Sequence, residues 1–63
     1  MRQTKAEKAR DLLIEQTYYK HGQGVQISIM DIPKVFTAGR QALEEGQDLD
    51  AAIQSAIAQL RVN

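Results

Sequence analysis

Few side chains in this sequence are of the types that carry out nucleophilic or acid-base chemistry. Nucleophilic catalysis requires a serine, threonine or cysteine beside a positioned base, but no motif around Ser28 or Ser55 indicates pairing with His21, the single histidine. Four carboxylates lie within residues 44–50, at predicted helix ends where charge is ordinarily solvated. The sequence therefore predicts a protein that is not an enzyme, with His21 as an exposed loop residue.

The glycine-rich segment 21–24 does not match a phosphate-binding loop. A P-loop needs Gly-Lys-Ser/Thr leading into a helix, and a dinucleotide fingerprint needs three spaced glycines after a strand. Neither pattern follows here. The chain has no cysteine and one histidine, which excludes disulfides and leaves too few ligands for structural zinc. We expect no cofactor and no metal, and a turn at this segment.

Two adjacent tyrosines, Tyr18 and Tyr19, are the best candidates for a binding site. Tyrosine is enriched at protein interfaces and can also stack on nucleic-acid bases. One of the two is expected to be a core residue and the other a contact residue. With the neighbouring Ile14, they form the predicted protein-binding set Ile14, Tyr18 and Tyr19.

A helix is predicted to position these residues. Thr4 and Glu7 form a capping-box pattern, so the helix should begin near Lys5 and end near His21, before two glycines. On a helical wheel the apolar residues of this helix fall on two faces. Ile14 and Tyr18 lie on one side, and a broad arc on the other side holds the rest. The members of that arc are Ala6, Ala9, Leu12, Leu13 and Tyr19. The helix therefore needs partners on two sides.

The next segment, Val25–Ile29, alternates β-branched apolar residues with polar ones, which predicts a half-buried strand. The β-forming residues 17–19 lie across the glycine turn from it. A shorter first helix followed by a β-hairpin is therefore the alternative. Because a lone strand leaves its N–H and C=O groups unpaired, it must pair either within the chain or with a second copy.

Two more helices complete the prediction. Asp31 is placed to cap a helix that ends at Glu45, in which Gly39 would admit another backbone. Asp48 caps the third helix, whose apolar residues keep helical spacing: Leu49, Ala52, Ile53, Ala56, Ile57 and Leu60. The expected fold is one domain, residues 1–63, mainly α with one short strand in the order α-β-α-α. The alternative is an N-terminal helix, a β-hairpin and two C-terminal helices.

Residues 25–62, with the order strand, helix, glycine turn and helix, resemble the ribbon-helix-helix family of DNA-binding proteins. In that family two chains pair one strand each and insert the ribbon into the major groove. The resemblance implies that Gln26 and Ser28 contact bases and that the chain is a dimeric transcriptional repressor. The sequence departs from the family by placing Asp48 and Asp50 where the last helix should bind phosphate.

The net charge and the length of the chain favour protein binding over DNA binding. Eight basic residues balance eight acidic ones, so no overall field attracts nucleic acid or an anionic membrane. Residues 1–21 hold five basic and three acidic side chains, and the remainder holds three and five. A chain of 63 residues builds a small core, which favours self-association. We therefore expect a small cytoplasmic regulatory protein of bacterial or phage type, without a membrane span, that acts through protein–protein contacts as a homodimer.

Overall fold

The computed structural model describes residues 3–62, and its regular elements are three helices: α1 spans Lys5–Gly22, α2 spans Ile32–Glu44 and α3 spans Leu49–Leu60. Residues 23–31 connect α1 to α2, and residues 45–48 form the turn between α2 and α3. Each helix packs against the other two.

Helix α1 begins at the predicted capping box. The Thr4 hydroxyl accepts from the backbone N–H of Glu7 at 3.1 Å, and the Glu7 carboxylate accepts from the backbone N–H of Thr4 at 3.3 Å. Lys20 and His21 lie in the last turn, where positive charge suits the carboxyl end of the helix dipole. Residues 17–20 are helical throughout, so the predicted β-hairpin is wrong.

The predicted strand at Val25–Ile29 is also wrong, because no strand forms within residues 3–62. One isolated antiparallel bridge joins Ile27 to Arg61, and the backbone N–H of Val62 donates to the Gln26 carbonyl at 2.7 Å. The expected α-β-α-α order is therefore replaced by three helices.

A turn explains why the pairing stops after one bridge. The Ser28 carbonyl accepts from the backbone N–H groups of Asp31 at 2.8 Å and Ile32 at 3.2 Å, so the chain bends into α2. The alternating pattern reflects an extended connection lying on the helices: Val25 and Ile27 pack against the core, but Ile29 remains 82% exposed.

Helices α2 and α3 form as predicted, with one difference at a cap. Asp31 occupies the N-cap position of α2, but its carboxylate pairs with Lys34 Nζ at 3.1 Å and makes no side-chain capping bond. Asp48 Oδ1 accepts from the backbone N–H of Asp50 at 3.1 Å and caps α3. Gly46, with φ of 70°, supplies the left-handed residue after α2.

The core lies where the three helices meet. Its buried aliphatic side chains are Ile14, Val35, Ile53 and Ile57. Gly39 allows this packing, because a Cβ there would lie 2.9 Å from Cγ2 of Ile14 and 3.1 Å from Cδ1 of Ile53. The close neighbours at Gly39 are thus side chains, and not the second backbone that the sequence suggested.

Candidate functional site: the outer face of helix α1

The structure separates the three predicted protein-binding residues. Ile14 is completely buried, so it stabilises the core and is not available to a partner. Tyr18 is half-buried, with its ring centroid 6.0 Å from that of Phe36 on α2. Tyr19 is 59% exposed. Only Tyr19 is fully placed for contact with another molecule.

Around Tyr19 lies a continuous exposed surface along α1, which we call the outer face. Its members share one arc of the helix and are all exposed: Ala6, Ala9, Leu12, Leu13, Gln16 and Tyr19, with the exposed Lys5 and Lys20 on the same arc near its two ends. Leu12 is 53% and Leu13 48% exposed, on an ordered and capped helix. These two leucines were missing from the predicted site, although the wheel already placed them on the same arc as Tyr19.

A shallow pocket continues the outer face at the end of α1. It has a volume of about 360 Å³ and is lined by Tyr18, Tyr19, Gly22 and Gln23. The two tyrosine rings lie 5.9 Å apart between centroids, at an interplanar angle of 39°. Because the pocket is shallow and lined mainly by aromatic rings, it suits an apolar side chain of a partner better than a charged ligand.

The opposite, inner face of α1 carries Asp11, Ile14, Thr17, Tyr18 and His21. At one end Asp11 accepts from Nε and Nη2 of Arg40 on α2, at 3.2 and 3.3 Å. The hydrogen bond from the Arg40 guanidinium holds the pKa of Asp11 below its ordinary value, against the raising effect of partial burial. Thr17 is buried, and its hydroxyl donates to the Leu13 carbonyl at 2.8 Å.

At the other end, His21 connects α1 to α3. Its Nδ1 lies 3.0 Å from the side-chain amide nitrogen of Gln54. Nε2 donates to Oδ1 of Asp50 at 2.7 Å. This bond is the largest cause that lowers the pKa of Asp50. The His21 side chain is 16% exposed, so the residue is a helical tether and not the loop histidine predicted from the sequence.

Both ring nitrogens of His21 lie within hydrogen-bond distance of α3 side chains, Nε2 at 2.7 Å from Asp50 and Nδ1 at 3.0 Å from Gln54. Within residues 3–62 no three histidine or carboxylate side chains come together in a way that could hold a metal ion. No helix in this range is long and apolar enough to cross a membrane.

The residues that the ribbon-helix-helix resemblance assigns to DNA lie in the connection between α1 and α2. Gln26 and Ser28 are both exposed. The Ser28 hydroxyl accepts from the backbone N–H of Met30 at 3.3 Å, within the turn into α2. Neither Gln26 nor Ser28 lies on a strand, so the ribbon that would carry these residues into the major groove is not formed.

A second cavity lies between α2 and α3. It has a volume of about 280 Å³ and is lined by small side chains, amides and one carboxylate: Ala38, Gln41, Ala42, Glu45, Gln47, Ala52, Ser55, Ala56 and Gln59. No buried side-chain nitrogen or oxygen among the described residues lacks a hydrogen-bond partner. This cavity therefore contains no buried polar side chain that lacks a hydrogen-bond partner within the described chain.

Comparison with known proteins gave no match, whether to a family model, to a curated protein or to a solved structure. The ribbon-helix-helix resemblance of residues 25–62 thus rests on the sequence pattern alone.

Proposed function

We propose that this chain is a small non-enzymatic protein that acts through protein–protein contacts as a homodimer, and that two copies meet at the outer face of α1. The observation that carries the proposal is this face itself, where Leu12, Leu13 and Tyr19 are about half exposed on a well-formed helix. Aromatic and aliphatic side chains clustered on an ordered surface are typical of a binding site.

The small size of the core also supports a homodimer. Four large aliphatic side chains are buried among residues 3–62, and the chain has no cysteine for a disulfide. Small domains without disulfides or metal commonly gain stability by association. A dimer that covers the leucines of the outer face would enlarge the apolar core at little cost in chain entropy.

The proposal includes no catalytic step, because the sequence has one histidine, no cysteine and no motif around Ser28 or Ser55 that indicates a nucleophile. DNA binding is not proposed as a second function. The ribbon strand that it requires is replaced by a bent connection, and the zero net charge supplies no overall attraction to phosphate.

Sedimentation equilibrium of the purified chain tests the proposal. We expect wild type to be a dimer at micromolar concentration. Leu12→Ser should raise the dimer dissociation constant at least about 30-fold, because two half-exposed leucines are lost per dimer. Circular dichroism should show unchanged helix content.

Ile29→Ser is the matched control, since Ile29 is an exposed aliphatic residue outside α1. It should leave the dissociation constant within about twofold of wild type. A wild-type chain that stays monomeric at 200 μM would refute the homodimer. Equal weakening by the two serine variants would refute the outer face as its interface.

A further inference from the structure

We draw no further inference here: the strongest candidate, the surface patch that Ile29 and Met30 form at the turn into α2, where the two side chains are 82% and 80% exposed, carries no proposal because nothing in the structure shows what covers it.

Discussion

The inner and outer faces of α1 are both apolar in part, yet only the inner one is used within the chain. The inner face combines a buried isoleucine with polar side chains that bond directionally to α2 and α3. The outer face has leucines and a tyrosine, but no such polar partners. Apolar periodicity alone therefore does not decide which face of a helix packs inward; here the face that also satisfies its polar groups is the buried one.

The largest difference between the faces should appear on truncating an aliphatic side chain of each. Ile14→Ala should lower the free energy of unfolding by about 3 kcal/mol or more, because it leaves a cavity among buried side chains. Leu12→Ala should lower it by less than about 1 kcal/mol when the chain is monomeric. Urea unfolding at a protein concentration below the dimer dissociation constant measures both free energies. Equal losses would mean that α1 is rotated from its place in this structure.

The next prediction tests how closely the inner face of α1 packs against α2. Gly39→Ala should lower the free energy of unfolding by about 1–2 kcal/mol, since its Cβ would press on Ile14 and Ile53 and only part of that cost is offset by better helix propensity. Gly22→Ala is the control, because its nearest neighbour is a Tyr18 ring carbon at 3.3 Å. That variant should lie within about 0.5 kcal/mol of wild type in the same urea experiment. Stabilisation by Gly39→Ala would contradict the close packing.

The smallest effect is a dependence on pH. Asp11 has a pKa below the ordinary aspartate value of 3.8, chiefly because of its hydrogen bond from Arg40. A carboxylate with a lowered pKa in the folded state adds stability above pH 3.8, and this is lost as the pH falls through the folded-state pKa. Asp11→Asn should therefore lose less stability than wild type between about pH 6 and pH 3. Leu12→Ala, which removes no titrating group, should follow the wild-type pH dependence. An unchanged dependence in Asp11→Asn would show that the pair with Arg40 does not form in solution.

The helices could be predicted because their signals are local. The capping box of Thr4 and Glu7, the cap at Asp48 and the glycine after α2 each act within one turn of chain, and each is where the sequence placed it. The strand could not be predicted correctly, because a strand depends on a distant partner. Residues 25–29 find one at Arg61 alone, since the turn at Ser28 ends the pairing.

The candidate site was predictable in the same limited way. The wheel showed that α1 has two apolar faces and placed Tyr18 and Tyr19 on different ones, but it did not show which of the two tyrosines would be exposed. It did not show that Ile14 faces the core, because that choice depends on Gly39 and Ile53 in other helices. The role of His21 depends similarly on Gln54 and Asp50, which lie far along the chain.

The adjacent tyrosines also give the molecule an optical signal of its own. The chain has no tryptophan and two tyrosines, so its near-ultraviolet fluorescence comes from one short stretch of α1. Tyr18 packs beside Phe36 on the inner face, whereas Tyr19 points outward 5.9 Å away, measured between ring centroids. Emission from Tyr18 should change when the core unfolds, and emission from Tyr19 should change when the outer face is covered. A single Tyr→Phe replacement at either position would make the chain a reporter of folding alone or of association alone, with no attached dye.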